Sequence, residues 1–284
     1  MLKYLNPKGT LPYEIFQLGF YWANMFRQTT NRIVEQRVSY GPHPRQYFLF
    51  FQPKNQEALS KGTLIYLHGG AWRFGSPEAF RATAQFFTDL NYSVILPSYR
   101  RCPTHNYRHI KEDLIELLKT SNDLIEEQSL HDRPRIIGGM SAGGHLSALV
   151  FLDEEILSGA GWDHNALHGA FLLGAPLHLE KMANTKTLRD LAGKPSSDLF
   201  QEANPYNFIQ KPDHRPLLIV HGEKDGMVAF QNAQAFVEKL EQCGYSNFTF
   251  QRVTNASHLD VASWAFTQNT TRRVLIDWLE KVHH

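Results

Sequence analysis

The stretch from Arg135 to His145 constrains this chain most, because a β-branched apolar run leads there directly into a glycine-rich turn. The run predicts a buried strand, and the residues after the turn predict a helix. Between them, the residues from Gly139 to Gly143 match G-x-S-x-G, a turn that pushes a serine hydroxyl out above a sheet in a strained backbone conformation. Glycine fits at both ends of the motif because a Cβ there would meet neighbouring backbone. The stretch predicts that Ser141 is a nucleophile; the alternative is an ordinary strand–turn–helix junction.

A serine hydroxyl is a poor nucleophile without a positioned base, and in open α/β sheets the reacting groups gather at the carboxyl ends of the strands. Two later strands, predicted over residues 217–220 and 248–253, end shortly before Asp225 and His258. The order serine, aspartate, histidine along the chain fits this architecture. We therefore predict that His258 takes the proton of Ser141, and that Asp225 orients the imidazole and stabilises its charged form.

Other side chains compete for these two roles. The chain has 14 histidines, so His258 is distinguished only by its place after the last predicted strand. Glu223, two residues before Asp225 on the same predicted loop, is the rival acid. Asp260 is too close to His258 along the chain to reach around it easily. We expect Asp225 to hold the role because of where the strand ends and how long the loop is.

A glycine-rich turn after the strand predicted over residues 63–68 supplies a third element. The intermediate of acyl transfer carries an oxyanion that needs N–H donors, and backbone without large side chains can approach it closely. We predict donors at Gly70 and Ala71, together with Ala142, the residue after the nucleophile. The alternative is a plain turn from a strand into a helix.

A metal site is not expected. The segment from Cys102 to His109 has spacings that zinc ligands can use. No second pair of ligands completes a site, however, and Pro103 favours a loop there.

The alternation of predicted strands and helices from residue 63 onward indicates an α/β fold with a mainly parallel sheet and helices on both faces. No internal repeat or linker divides the chain. We therefore expect a single domain over residues 1–284, with an N-terminal helical segment over residues 1–30. Residues of about 176–212 interrupt the alternation, and we expect them to form a small inserted cap.

Element boundaries are predicted from local signals. Two strands are expected over residues 33–40 and 46–51, ahead of the alternating part. Ser76 is expected to cap a helix that begins at Pro77. Residues 260–282 are expected to form one closing helix.

The helix predicted over residues 13–26 is rich in aromatic side chains that need a covering surface. These are Phe16, Phe20, Tyr21, Trp22 and Phe26. Two interpretations stay open: a helix packed on the body of the protein, or a lid over a pocket. The stretch also contains Glu14 and is too short to span a bilayer.

Composition excludes some partners. Lys and Arg number 29 and Asp and Glu 28, a net charge of +1, so there is no electrostatic reason to expect nucleic acid or an anionic membrane surface as a partner. The two cysteines do not indicate a disulfide framework, and residues 1–7 lack the features of a signal peptide. We expect a cytoplasmic protein without an integral membrane segment, and a homodimer stays open as its assembly.

Three motifs together carry a resemblance to a known family. They are His68-Gly69-Gly70-x-Trp72, Ser141-Ala142-Gly143-Gly144-His145-Leu146 and His221-Gly222-x-x-Asp225. Over roughly residues 33–282 the chain resembles the α/β-hydrolases of the hormone-sensitive-lipase-like esterase group, and within it the kynurenine formamidases and the carboxylesterases similar to them. The resemblance implies the α/β-hydrolase fold with an eight-stranded sheet, a serine acyl-enzyme route and no cofactor.

Two positions depart from that family's pattern. Ala71 stands where lipase-like esterases carry glycine and the formamidases often an aromatic residue. Met140 stands where the esterases often have aspartate and the formamidases histidine. Both departures leave the class of substrate open.

The candidate walls of the substrate pocket are Trp72, Phe74, Met140 and Met227, which favour an apolar or aromatic acyl or alcohol group. We therefore expect a serine hydrolase that cleaves small carboxylic esters. The first alternative is cleavage of an N-formyl amide, as by an arylformamidase. An alternative of another class is a non-catalytic homologue that binds a ligand without turnover, since a fold does not fix a function.

Overall fold

An eight-stranded sheet forms the centre of the protein in the computed structural model, which describes residues 7–28, 35–53 and 60–282. The strands are β1 Glu35–Ser39, β2 Tyr47–Phe51, β3 Thr63–Leu67, β4 Ser93–Pro97, β5 Arg135–Met140, β6 Gly169–Leu173, β7 Leu217–Gly222 and β8 Phe248–Val253. Their order in the sheet is β1-β2-β4-β3-β5-β6-β7-β8. The pairs β1–β2 and β2–β4 are antiparallel, and the pairs from β4 to β8 are parallel.

The inner strands are continuous hydrophobic runs because helices cover both faces of the sheet. Every residue of β2, β3, β4, β6 and β7 is buried, as expected for strands between two helical layers. Along β3, Leu64 and Tyr66 belong to one buried cluster, and Ile65 and Leu67 belong to the other. The predicted α/β fold with a mainly parallel, eight-stranded sheet is confirmed.

Ten helices surround the sheet in the described part of the chain. They are α1 Leu11–Gln28, α2 Arg81–Asp89, α3 Tyr107–Glu127, α4 Ala142–Leu152, α5 Glu154–Gly159, α6 Lys186–Ala192, α7 Asp198–Glu202, α8 Phe230–Gln242, α9 His258–Ala262 and α10 Thr270–Lys281. The α4 helix differs from the amphipathic helices around it, because ten of its residues are buried. It therefore lies in the interior, directly after β5.

Two predicted helix boundaries are wrong. Ser76 precedes a 3₁₀ turn and its side chain makes no capping bond, so that α2 begins only at Arg81. Glu78 in that turn accepts a hydrogen bond from the Tyr47 hydroxyl at 2.8 Å, which holds the turn against β2. The closing helix is two helices, because Asn269 caps a new start by accepting a bond from the backbone of α10.

The first predicted strand is present as β1, which ends at Ser39, one residue before the predicted end. β1 begins at Glu35, and residues 33 and 34 lie outside the described residues.

The segment between β6 and β7, residues 176–212, contains α6, α7 and two 3₁₀ turns. Two buried amides fix its first residues, and one of these amides belongs to a later part of the same segment. The Asn232 side chain of α8 accepts bonds from the backbone N–H groups of Leu177 and His178, and Asn204 accepts one from Leu179 at 2.9 Å. That this segment acts as a cap over a substrate stays a prediction.

The α1 helix packs on the body along one side and leaves the other side open. Its inner side buries Met25, and the rings of Tyr21 and Trp22 contact Phe266 and Phe80 with centroid distances of 5.5 Å each. Five large apolar side chains of the outer side are more than half exposed: Leu11, Ile15, Phe16, Phe20 and Phe26. No described residue covers the aromatic side chains of this outer side, and the expectation that a surface covers them stays a prediction.

Candidate active site

Ser141 stands at a tight turn between β5 and α4. Its φ of 56° and ψ of −122° lie in a region that residues other than glycine rarely occupy. A Cβ built on Gly139 would lie 2.5 Å from the Leu67 carbonyl oxygen, and one built on Gly143 would overlap the same oxygen. The strained turn and the need for its two glycines are confirmed; the role of Ser141 as a nucleophile stays a prediction.

The surroundings of Ser141 fix its backbone and leave its side chain accessible. Its N–H donates to the Leu173 carbonyl at 2.8 Å, which ties the turn to β6. Its hydroxyl makes no capping bond to α4, and the residue is partly exposed. Because α4 begins at the next residue, the positive end of the helix dipole lies beside the hydroxyl.

A buried pair of side chains lies at the ends of two adjacent parallel strands. Asp225 follows β7 and His258 follows β8, and they are 7% and 3% exposed. His258 Nδ1 donates to Asp225 Oδ2 at 2.7 Å. The other carboxylate oxygen accepts from the N–H groups of Met227 at 2.9 Å and Val228 at 2.7 Å. With Nδ1 as the donor, Nε2 is the acceptor nitrogen of the neutral ring.

Electrostatics favour a charged form of this pair. Burial raises the pKa of Asp225, but the neighbouring His258 and His221 and the Val228 N–H outweigh burial and lower that pKa. Burial also opposes protonation of His258, but Asp225, with a further contribution from Glu14, raises the pKa of His258 above 6.5. The imidazole is thus more basic than an ordinary histidine, which suits a general base.

The two rival acids have other partners. Glu223 contacts the Arg252 side chain. Asp260 forms a capping box at the start of α9, where it accepts from the Ser257 N–H at 2.8 Å. Within the described ranges, the carboxylate that contacts the ring of the histidine is that of Asp225.

The turn that follows β3, residues 69–72, is called the β3 turn below. It has three consecutive residues with positive φ, namely 130° at Gly70, 51° at Ala71 and 56° at Trp72. A Cβ on Gly70 would overlap a backbone carbonyl four residues later, so only glycine fits there. A Cβ on Gly69 would lie 3.5 Å from the Cβ of Ser141. The turn is therefore adjacent to the serine, as an oxyanion site requires, and the donor roles stay predictions.

His145 connects the β3 turn to the segment between β6 and β7, a role that the sequence did not reveal. Its Nδ1 accepts from Trp72 Nε1 at 3.2 Å, and its Nε2 donates to the Ala203 carbonyl at 2.8 Å. Burial lowers the pKa of His145 to about 4, so the ring is neutral and both nitrogens are satisfied. A second link joins Arg73, directly after the turn, to Asp190 of α6.

Glu14 of α1 is the other functional candidate that sequence reasoning missed. It is fully buried, and its carboxylate accepts bonds from the backbone of both loops that carry the Asp225–His258 pair. The available signal was one acidic residue in an otherwise apolar and aromatic helix, whose next charged residue is Arg27.

The four predicted pocket walls differ in exposure. Phe74 is 66% exposed, Met227 is partly exposed, and Trp72 and Met140 are 4% and 3% exposed. A Cβ on Gly174 would lie 2.8 Å from the Met140 Cε and 3.4 Å from the imidazole of the buried pair. Met140 therefore lies beside the histidine. The wall roles stay predictions.

Neither a metal cluster nor a membrane span is found in the described residues. No three histidine, cysteine or acidic side chains there converge so that they could hold a metal ion. None of the helices there combines the length and the apolar character that crossing a bilayer requires. Cys102 and Cys243 are both free thiols.

Comparison with known proteins connects this geometry with hydrolases. Residues 64–259 match the family described as alpha/beta hydrolase fold. The chain is 25% identical over 272 residues to the esterase LipC of Mycobacterium tuberculosis, a match that covers 87% of this chain and 65% of LipC. It is 31% identical over 106 residues to the arylacetamide deacetylase of Mus musculus, covering 34% of this chain and 26% of that protein. The chain thus spans less than two thirds of the length of either relative.

A solved structure shares the fold at low sequence identity. Esterase B of Lactobacillus rhamnosis superposes with a TM-score of 0.75 at 16% identity, and the match covers 95% of this chain and 92% of that one. At this identity the likeness concerns the fold.

Proposed function

This chain belongs to the alpha/beta hydrolase fold family, and from that premise we propose that it is a serine hydrolase that cleaves small carboxylic esters. The observation that carries the proposal is the strained Ser141, at a φ of 56°, on the same sheet as the buried His258–Asp225 pair with its 2.7 Å hydrogen bond. The relative named esterase LipC supports the choice of an ester as substrate.

The reaction proceeds in two halves that use the same groups. His258 Nε2 takes the Ser141 proton while Oγ attacks the ester carbonyl, and the oxyanion accepts hydrogen bonds from the N–H groups of Gly70, Ala71 and Ala142. The intermediate collapses to an acyl-enzyme as the imidazolium protonates the departing alcohol. Water, deprotonated by the same imidazole, attacks the acyl-enzyme and releases the acid.

Asp225 contributes by holding the ring and its charge. Its carboxylate fixes the proton on Nδ1, so that Nε2 is free to act as the base. The carboxylate also stabilises the imidazolium that forms when Ser141 attacks. The raised pKa of His258, which follows mainly from Asp225 against the cost of burial, fits this role.

An amide substrate is the second candidate, because one relative is named arylacetamide deacetylase. N-formyl aromatic amides belong to this class. An amine leaves less readily than an alcohol and needs its proton from His258 before the C–N bond breaks. The same residues carry both reactions, so the walls over Ser141 decide between them.

A substrate panel tests the proposal. Acyl p-nitrophenyl esters of increasing chain length are assayed beside N-formyl and N-acetyl aromatic amides, each with the wild type and with Ser141→Ala. We expect turnover of short esters in the wild type, and a loss of about 10³-fold or more in the variant, which keeps only the oxyanion site and binding. Wild-type turnover in the variant would remove Ser141 from the mechanism. Preference for the amides would move the assignment to the second candidate, and ligand binding without turnover would indicate a non-catalytic homologue.

A further inference from the structure

Glu14 occupies an unusual position for an acidic residue on a surface helix. Its side chain is 0% exposed although α1 leaves much of its outer side in solvent. A carboxylate in such a place is costly unless hydrogen bonds satisfy it. Three backbone N–H groups do so: Oε1 accepts from His258 at 2.8 Å and from Gly226 at 3.1 Å, and Oε2 accepts from Leu259 at 3.2 Å.

These donors belong to the two loops that carry the buried pair. Gly226 directly follows Asp225, and the remaining donors are the histidine itself and its neighbour at the start of α9. One carboxylate from α1 therefore joins the loop after β7 to the loop after β8. Thr10, directly before α1, also lies against the loop that carries Asp225, since a Cβ on Gly226 would be 2.5 Å from the Thr10 carbonyl oxygen.

We propose that Glu14 is a positioning residue for the His258–Asp225 pair, which holds both loops in register and places a second negative charge near the imidazole. This inference rests on the proposed function, because it assigns Glu14 a part in the same reaction. It also makes α1 part of the active site rather than a separate lid. Glu14 touches neither Ser141 nor a substrate, and it acts through His258.

Glu14 also acts on the imidazole through its charge, which a residue that only caps a helix would not do. The ionisable groups that face His258 are Asp225 from the β7 loop, His221 at the end of β7, and Glu14 from α1. On its own helix, Asp260 forms an ion pair with Lys8 at 2.6 Å.

His221 is a neutral neighbour of the His258 ring, so the charges that act on this ring are those of the two carboxylates. Burial, its largest influence, lowers the pKa of His221, so it adds no charge near neutral pH. Glu14 is then the second anion that favours the imidazolium, after Asp225.

Glu14→Gln tests the proposal because it keeps the volume and one acceptor oxygen but removes the charge. With p-nitrophenyl acetate we expect kcat/KM to fall about 10-fold, mostly in kcat. The acid limb of the kcat/KM profile should move to lower pH by about half a pH unit or more, since loss of a nearby anion destabilises the imidazolium. A role confined to folding would lower the melting temperature and leave the position of this limb unchanged.

Two further variants separate charge from geometry. Glu14→Asp keeps the charge but shortens the side chain, so we expect a lower kcat with the acid limb close to its wild-type position. Glu223→Gln makes the same carboxylate-to-amide change at an acid bound to Arg252 instead. We expect its kcat to stay within about twofold of the wild type and the acid limb of its kcat/KM profile to stay in place.

The inference is overturned if Glu14→Gln has the kcat of the wild type and the same position of the acid limb of the kcat/KM profile. It is also overturned if the changes in these two quantities are no larger than those in Glu223→Gln. If Glu14→Gln does not fold, Glu14→Asp provides the test. An acid limb at lower pH together with an unchanged kcat in Glu14→Asp contradicts the proposal. NMR titration of the His258 ring, identified with a His258→Gln control, reports the same charge effect without turnover. A lowered pKa in Glu14→Gln, found in a protein that hydrolyses no ester, would leave the electrostatic role standing and refute the proposed function alone.

Discussion

At the scale of single residues, the backbone of Ser141 is the most unusual feature of the candidate site. A φ of 56° costs free energy for a residue with a Cβ, and the glycines two positions away let the turn close against the Leu67 carbonyl. The result is a partly exposed hydroxyl at the end of a buried helix. His258 and Asp225 are both buried, and the Nδ1–H of His258 donates a hydrogen bond to the Asp225 carboxylate.

The choice between the two acids of the β7 loop yields a direct prediction. Asp225→Asn should lower kcat by about 10⁴-fold, because an amide at this place no longer fixes the proton on Nδ1. Glu223→Gln should leave kcat within about twofold, because Glu223 contacts Arg252 and the Asn255 backbone rather than the imidazole. Steady-state kinetics on one short ester measure both. The reverse ranking would transfer the role to Glu223.

Residues near the ends of predicted strands could be assigned from the sequence, whereas Glu14 could not. Asp225 and His258 follow recognisable strands, and parallel strands bring their carboxyl ends together. Glu14 meets the His258 backbone from the opposite end of the chain, and no local pattern in α1 indicates which way its one acid points. The partners of His145 were hidden for the same reason, since Trp72 and Ala203 are joined to it only by the fold.

At the scale of elements, packing of α4 against β3 dictates the sequence of the turn. Gly143 of α4 lies so close to β3 that a Cβ would overlap the Leu67 carbonyl oxygen. Where tertiary contacts compete with local signals, they prevail: Ser76 is a good capping residue by type but precedes a 3₁₀ turn. The closing helix divides for a local reason that the prediction overlooked, namely the capping side chain of Asn269.

A pair of glycine substitutions tests this packing. Gly143→Ala should destabilise the fold by several kcal/mol or prevent folding, because the backbone of β3 cannot move away. Gly19→Ala on α1 is the matched control. A Cβ there meets no atom within 4 Å, so alanine should be neutral or stabilise by up to about 1 kcal/mol through its helix propensity. Urea unfolding followed by circular dichroism compares the two, and equal stability of both variants would contradict the packing.

At the scale of the whole molecule, the fold holds several histidines neutral in its interior. Burial is the main cause that lowers the pKa of His68 and of His145 to about 4 each, and it also lowers that of His221. An unfolded chain protonates these rings near pH 6.5. Between pH 6.5 and 4 the unfolded state therefore binds more protons, and the free energy of unfolding must fall as the pH falls. His258, whose pKa is raised, acts only above pH 6.5, where its stabilising contribution is lost as the pH rises through its folded-state pKa.

Urea midpoints measured from pH 7 to pH 4.5 test this coupling. Below about pH 6.5, His68 and His145 each contribute up to about 1.4 kcal/mol per pH unit, so we expect stability to fall toward acid. His145→Gln provides the control, because an amide replaces the titrating ring; its unfolding free energy should depend less steeply on pH than that of the wild type. An unchanged slope in His145→Gln would show that His145 is not held neutral.

Covalent labelling shows whether Ser141 is a nucleophile activated by His258. Wild-type protein is treated with a fluorophosphonate, which reacts with activated serines, and the adduct is counted by intact mass and located by peptide fragmentation. We predict one adduct per chain, on Ser141, absent in Ser141→Ala and formed far more slowly in His258→Gln. No adduct, an adduct on another residue, or equal labelling of Ser141→Ala would contradict the account.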